Sequence, residues 1–349
     1  RFAHRSFKWV TEAPGGAGVH VSIVGFDRAR TPRPVLWTYP EGGVGEPTRT
    51  EVPNINPYLG IGPNVIVTKR STPLAPDLPE VMFGNMPRDG GNLVVESDDY
   101  DAVKHDAVAA RYLRRFVGGD ELIKNKQRWC LWLEDLDPSD LSRSTILKQR
   151  VEATRQFRLA SKAESTRNMA RTAHLFAQRT QPPGEFLAIP NVVSEHRRYF
   201  TVSDFPDGII ASNLIYTAPD PDGLVFGILS SSMFIAWMRA IGGRLESRLR
   251  FSKNFTYNTF PLPEVNVRQR QAIIAAAEGI VAARESCAGW SLAKLYDPVA
   301  MPDDLVKAHD ALDEAIDKLF GRGDMSTESG RQKILFQRYA ALTGQETLL

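Results

Sequence analysis

The sequence predicts an α+β chain in three stretches: a strand-bearing beginning, a mixed α/β middle and a helical bundle at the end. Three observations lead there. A short β-branched run at residues 19–26 (Val-His-Val-Ser-Ile-Val-Gly-Phe) is flanked by glycine- and proline-rich segments. An apolar run, Trp129-Cys130-Leu131-Trp132-Leu133, is soon followed by helix-start chemistry. Leu305, Ala308, Leu312, Ile316 and Leu319 recur at spacings of three and four, the period of one helix face.

Each element follows in order. Residues 19–26 read as a buried strand, because an apolar run without alternation needs cover on both faces. Residues 27–64, rich in proline and glycine, read as loops with short strands. Val65-Ile66-Val67 and Leu93-Val94-Val95 are further strand candidates, the second leaving the turn-rich stretch 84–91. Residues 102–117 read as a helix, broken by Gly118-Gly119. Residues 129–133 suit a central strand. Asp137-Pro138-Ser139-Asp140 supplies a capping residue, a first-turn proline and early acids, and the basic stretch behind it continues as one or two helices towards His174. Residues 186–235 alternate short β-like runs with turns such as Asp207-Gly208. At the end, Pro302 and Gly321 bracket the apolar stripe as helix termini prefer, and Ile273, Ile274, Ala277, Ile280 and Val281 form a second stripe.

The 349 residues are 42% apolar and 24% charged, the mix of a folded globular chain, which excludes a disordered, collagen-like or disulfide-scaffold protein. No apolar run reaches the roughly 18 residues that cross a bilayer, and no membrane partner is expected. Cys130 and Cys287 fit a reducing cytoplasm, with a single bridge left open. The chain begins at Arg1 without a signal pattern and enters patterned sequence at once, so it reads as a piece of a longer polypeptide. The net charge is +2, yet residues 141–180 carry nine Lys or Arg against two Glu, while residues 264–349 carry ten basic and thirteen acidic residues. A basic middle on a near-neutral chain points to a polyanion partner; a solvated helix face is the alternative.

Few motifs carry chemistry. Gly15-Gly16-Ala17-Gly18 lacks a following Lys-Ser/Thr and precedes a strand rather than a helix, which argues against a phosphate loop. The six histidines are scattered without metal-ligand spacing, so no metal site is expected. No Gly-x-Ser-x-Gly elbow is present. Asn56-Pro57-Tyr58 has one proline where the catalytic loop of amino-methyltransferases has two, and it reads as a turn. Phe7 and Trp9 lie two apart just before the first buried run. They either cover a sheet edge or wall a pocket for an unstacked base. The densest segment is 242–253, which gathers Arg244, Glu246, Arg248, Arg250 and Lys253. In an extended strand Glu246, Arg248 and Arg250 point the same way. An arginine fork matches the guanine edge in the major groove, and a carboxylate accepts from the cytosine amine. A Glu246 ion pair with Arg248 or Arg250 on a solvated edge is the alternative.

At these residues the chain resembles the C-terminal part of the MmeI-like (type IIL) restriction–modification enzymes. The matching stretches run along nearly the whole sequence: Phe7-Lys8-Trp9 with Glu12-Ala13, Asn54-Ile55-Asn56-Pro57-Tyr58-Leu59, Phe83-Gly84-Asn85-Met86-Pro87 with Asp89-Gly90-Gly91, and Arg128-Trp129-Cys130-Leu131-Trp132-Leu133. They continue with Arg158-Leu159-Ala160-Ser161, Ile209-Ile210-Ala211-Ser212-Asn213, Gly227-Ile228-Leu229-Ser230-Ser231-Ser232-Met233, Tyr257-Asn258-Thr259-Phe260-Pro261, Leu295-Tyr296-Asp297-Pro298, Met301-Pro302 and Leu305-Val306-Lys307-Ala308-His309. Their number and order make the match specific.

The resemblance implies that residues 1–69 end a methyltransferase α/β sheet, 70–263 form a target recognition domain, and 264–349 form a C-terminal helical domain. It implies sequence-specific recognition of double-stranded DNA for a prokaryotic, cytoplasmic adenine methyltransferase of a restriction–modification system. Base reading is then expected from Glu246, Ser247, Arg248 and Arg250, with Ser212 and Asn213 nearby. Phosphate contacts are expected from Lys148, Arg155, Arg158, Lys162, Arg167, Arg171 and Lys253, a choice that follows local charge. Phe7 and Trp9 match the late aromatic motif beside a flipped adenine. The glycine motif for S-adenosylmethionine, the Pro-Pro catalytic loop and the nuclease carboxylates are absent. The chain itself is therefore expected to bind no cofactor and to neither methylate nor cleave. S-adenosylmethionine, and Mg2+ for any nuclease, belong to upstream methyltransferase and nuclease domains of the same polypeptide. The alternative is a stand-alone DNA specificity module serving separate catalytic chains.

Overall fold

A computed structural model describes residues 1–9, 19–29, 31–40 and 43–345. The glycine cluster at 15–18 and the Glu12-Ala13 pair lie outside the described residues. The chain opens with a small mixed sheet of order β2-β1-β3-β4: β1 (Phe2–Trp9) pairs antiparallel with β2 (Val19–Gly25) and parallel with β3 (Val35–Thr38), which pairs antiparallel with β4 (Thr48–Glu51). β2 forms where the sequence predicts it, but it is not buried. It stands at the sheet edge, where β1 is its only partner strand, with Val24 54% exposed and Phe26 just beyond it 87% exposed.

Two lobes follow. One is built on a sheet of order β12-β7-β8-β6, from β6 (Val94–Val95), β7 (Leu113–Val117), β8 (Trp129–Leu131) and β12 (Ile210–Ala211). β8 lies inside the sheet with Cys130 and Leu131 fully buried. The expected helix over 102–117 divides: α1 (Ser97–His105) ends early, and β7 takes the second half. The Asp106 carboxylate accepts from the amides of Val108 and Ala109, which turns the chain, and strand pairing with β8 then outweighs helix propensity. After a short α2 (Gly119–Lys124), α3 (Asp140–Arg143) and α4 (Thr145–Leu159) close this lobe. Ser144 caps α4 by accepting from the Leu147 amide (3.0 Å). α5 (Glu164–Asn168) extends the basic stretch.

The second lobe carries a sheet of order β11-β9-β13-β5, from β5 (Met82–Phe83), β9 (Phe186–Pro190), β11 (Ser203–Phe205) and β13 (Ile215–Ala218), with the apolar helices α6 (Leu224–Ser230) and α7 (Ser232–Ile241). A three-stranded ribbon of order β10-β15-β14 completes it: β10 (Val192–Val193), β14 (Arg244–Leu245) and β15 (Arg248–Arg250). The terminal helices are α8 (Val267–Glu285), α9 (Leu292–Leu295), α10 (Asp303–Asp317) and α11 (Glu328–Thr343). Both predicted stripes face inward except at Val281, which is exposed: Ile273, Ala277 and Ile280 on α8, and Leu305, Leu312 and Ile316 on α10, are buried. Their core is continuous with Phe226, Trp237 and Leu187 of the second lobe, so this core crosses from the middle of the sequence into its end.

Residues 65–67 are extended and partly buried but form no sheet strand. Their amides bond instead to side chains: Val67 to the Tyr58 hydroxyl (2.8 Å) and Ile66 to Gln345 (3.1 Å). Among the described residues no single helix is long and apolar enough to cross a membrane.

Candidate nucleic-acid interface

The segment 242–253 leaves α7 as a hairpin. Gly242 makes the joint: its amide donates to the Met238 carbonyl (2.8 Å), and a Cβ there would lie 2.4 Å from that same oxygen, so only glycine fits. β14 and β15 pair with Arg244 opposite Leu249 and Leu245 opposite Arg248, leaving Glu246 and Ser247 as the turn. This corrects the expectation of one extended strand. Glu246 does not share a strand face with Arg248 and Arg250; it sits at the tip with φ +58°, on the left-handed side. That conformation costs a non-glycine residue about 1–2 kcal/mol. The tip is held by the Glu246 carboxylate accepting from the Arg248 guanidinium (2.8 Å), the pairing named above as the alternative. In β15, Leu249 is buried and anchors the ribbon, while Arg248 and Arg250 alternate outward and are exposed.

The hairpin stands between two clefts. On one side Arg248 borders a cleft of about 840 Å3, together with Leu214, Asn191, Lys124, Gln127 and Arg128. On the other, Arg244 and Ser247 border a cleft of about 660 Å3 that reaches the first sheet at Ser6, His20 and Tyr39.

The other expected base readers divide. Ser212 is a correction: it is buried, its amide donates to Val117 (2.8 Å), and its hydroxyl oxygen accepts from the Leu214 amide (3.2 Å). It builds the turn and does not face a ligand. Asn213 is half-buried, with its carbonyl accepting from Asn191 (3.2 Å). Leu214, which the sequence reading missed, is 50% exposed and borders the cleft beside Arg248. Its signal was an isolated leucine directly after a Ser-Asn turn.

The basic stretch also divides. Lys148 and Arg155 on α4, Lys162 in the link that follows, Arg167 on α5 and Arg171 in the turn after it are exposed. Arg155 is engaged bidentately by Glu152 (2.8 Å twice), and this pairing holds the Glu152 carboxyl down to about 2. Arg158 is a correction. It is fully buried, and its guanidinium donates to five backbone carbonyls: Arg88 (3.0 Å), Pro87 (2.9 Å), Met169 (2.9 Å), Thr172 (3.0 Å) and Leu175 (2.7 Å). No donor is left for a phosphate. Lys253 is mostly covered and lies 3.8 Å from Glu80.

On the first sheet, Phe7 stacks on Tyr39 (4.4 Å between centroids), Trp9 lies 6.1 Å from Phe7 and is 45% exposed, and His4 stacks on Trp37 while hydrogen bonding to the Tyr39 hydroxyl (2.9 Å). Tyr39 and Trp37 thus complete an aromatic row of which the sequence reading saw two members. Asn56-Pro57-Tyr58 is a structural turn: the buried Asn56 carboxamide oxygen accepts from the Tyr58 and Gly60 amides (3.0 and 2.9 Å), and Tyr58 stacks on Phe336 of α11. The described residues contain no cluster of metal-ligating side chains, and both cysteines are free thiols.

Comparison with known proteins adds relatives to this geometry. Residues 61–264 match the family described as MmeI, target recognition domain, and residues 265–347 match MmeI, C-terminal domain. DNA methyltransferase A of Bacillus subtilis (strain 168) is 34% identical over 343 residues, covering 98% of this chain and 38% of that protein. A solved structure of the type IIL restriction–modification enzyme MmeI in complex with DNA superposes with a TM-score of 0.91 at 41% identity, covering 98% of this chain and 46% of that one. The chain therefore spans less than half the length of either relative.

Proposed function

Because this chain belongs to the MmeI family, carrying its target recognition and C-terminal domains, we propose that it selects the DNA site at which a longer methyltransferase acts. The observation that carries this reading is the exposed hairpin, which presents a preformed Glu246–Arg248 pair between two clefts. A carboxylate on a DNA-facing surface is repelled by phosphate, so it is tolerated best where it aligns an arginine fork or accepts from a base amine. Here it does the first already. Glu246, Ser247, Arg248 and Arg250 then face base edges, with Leu214 and Asn213 at the border of the same surface. Leu214 supplies an apolar contact that suits a thymine methyl.

The exposed cations Lys148, Arg155, Lys162, Arg167 and Arg171 supply sequence-independent affinity through phosphates, with Lys253 a minor contributor. Trp9 and the Phe7–Tyr39 stack offer the aromatic wall that a flipped adenine requires. Among the described residues no α-helix precedes Ser97, so none of them forms beside the first sheet the strand-to-helix loop that would cradle S-adenosylmethionine. The methyl donor, adenine chemistry and any nuclease Mg2+ fall to the part of the longer relatives that this chain does not span.

The test is a binding selection from a duplex library with the wild type, Arg248→Ala and Arg155→Ala. Arg248→Ala is expected to cost about 1–3 kcal/mol on the preferred site and to relax one base position. Arg155→Ala is expected to weaken all sequences alike. Equal losses on every sequence from Arg248→Ala would remove its base-reading role.

A further inference from the structure

We propose that the cleft on the opposite side of the hairpin from Arg248 is a seat for a backbone phosphate of the bound duplex, with Arg244 as its donor. This rests on the DNA-recognition reading but concerns a different face of the hairpin, and a residue outside the basic stretch. The cleft is assembled from several parts of the chain. Tyr39 comes from the first sheet, Arg244 and Ser247 from the hairpin, and Val299 and Met301 from the segment leading into α10. A strand of DNA lying against the hairpin tip would pass its mouth.

The cations around it are not equivalent. Arg239 is committed: it pairs with Glu328 (2.5 Å) and donates to the Arg197 carbonyl (2.7 Å). Arg198 pairs with Asp310 (3.2 Å). Arg244 donates one bond to the Ser247 carbonyl (2.9 Å) and forms no ion pair among the described residues. A guanidinium has five N–H donors in a fork that matches phosphate oxygens, so most of Arg244's capacity is unspent. Its charge is also poorly compensated. Its pKa is held below the ordinary arginine value by desolvation first and then by the Arg239 charge, with Glu195 and Glu328 opposing. Both carboxylates border the cleft, but Glu328 is taken by Arg239, and Glu195 lies 3.7 Å from the His196 ring. An arriving anion would relieve the like-charge crowding at Arg244.

The position explains what the seat does. Arg244 lies on β14 two residues before the Glu246 tip, about 7 Å along the strand. Phosphate contacts fix register, and base contacts specify. An anchor this close sets how deeply Glu246 and Arg248 enter the groove.

The probe is a duplex of arbitrary sequence, since a phosphate contact does not depend on the site. Using the whole chain, binding is followed by fluorescence anisotropy across a series of KCl concentrations. Arg244→Gln is expected to reduce the dependence of log K on log salt by about 0.9 and to weaken binding roughly tenfold at low salt. Arg244→Lys should keep the wild-type slope. In parallel, dicarbonyl modification of wild-type Arg244, read by mass spectrometry, should slow at least several-fold when the duplex is bound. This second readout needs no variant and decides the matter if Arg244→Gln unfolds. A wild-type slope in a folded Arg244→Gln, or an Arg244 modification rate unchanged by duplex, overturns the seat while leaving the hairpin's base-reading role intact. Protection by inorganic phosphate alone, with none from duplex, overturns it too. A wild type that binds no duplex overturns the DNA reading itself.

Discussion

Arg155 and Arg158 lie one turn apart on the same helix, and replacing each by methionine should have opposite consequences. Methionine keeps helix propensity and much of the side-chain length, so the contrast isolates the guanidinium. At Arg158 the change removes the donor to five backbone carbonyls, of which those of Arg88 and Leu175 keep no other donor among the described residues, while Pro87, Met169 and Thr172 each keep one. Each carbonyl left without a partner costs about 1–3 kcal/mol. Against that, the variant no longer buries a charge; desolvation already depresses the Arg158 pKa, and this penalty is returned. The balance is a net loss of about 2–4 kcal/mol, set mainly by the two carbonyls that lose their donor. The Arg158 cluster ties α4 to the turn at Pro87 and to the segment 169–175, so the loss falls on the lobe containing Trp129 and Trp132, whose fluorescence reports it during urea unfolding. Arg155→Met should unfold with the wild type and bind arbitrary duplex more weakly. An Arg158→Met variant within about 1 kcal/mol of the wild type, but deficient in DNA binding, would refute the assignment of Arg158 to the core and restore it to the phosphate set.

Other expectations follow from the same contacts. Gly242→Ala places a methyl against the Met238 carbonyl oxygen and should cost about 1–3 kcal/mol while displacing the hairpin, read as lost base discrimination with nonspecific binding retained. His309 is fully buried, stacked on Tyr199 (3.7 Å), and its Nε2 accepts from the Tyr296 hydroxyl (2.8 Å), which in turn accepts from Arg284. Burial first, then the Arg284 charge, holds its pKa well below 6.5. Below that pH the unfolded chain takes a proton the folded one refuses, so stability should fall by up to about 1.4 kcal/mol per pH unit on acidification. Urea midpoints on either side of pH 6.5 should show this slope in the wild type and a flatter one in His309→Gln; parallel slopes would count against a neutral His309. Glu152 should titrate near 2 by NMR and move up towards the usual glutamate range in Arg155→Ala.

How far the sequence was legible depends on whether local pattern or distant contact decides. The helical end was readable because its stripes on α8 and α10 are periodic and face one core. The fate of Arg158 was readable too, in retrospect: it continues the series Leu147, Val151, Thr154 at helical spacing, and Leu147 and Thr154 are buried while Val151 is half-buried. The surrounding charge density masks that period. Residues 113–117, by contrast, contain Leu-Arg-Arg-Phe-Val, which no local rule assigns; only pairing with β8 makes them a strand. The site was half legible for a related reason. The charge cluster at 242–253 was plain, but its turn was hidden, because Glu246 occupies a left-handed position where glycine or asparagine is the usual signal.

That hidden turn bears on how recognition and stability are divided in this fold. The hairpin is fixed from inside by Leu249, from behind by the Gly242 joint, and along one edge by β10. None of these anchors is a base-facing side chain. Glu246, Arg248 and Arg250 project from the anchored ribbon and contribute no apolar surface to either lobe's core. Substitution at the tip should therefore alter which bases are accepted with little effect on unfolding, whereas substitution at Leu249 or Gly242 should abolish selection through loss of the ribbon. A library varied at 248 and 250 and sorted only for folding should recover nearly all residue types. The same library sorted for tight binding to one duplex should converge. Convergence under the folding sort alone would mean that the tip is part of the scaffold, and that the reading surface lies elsewhere.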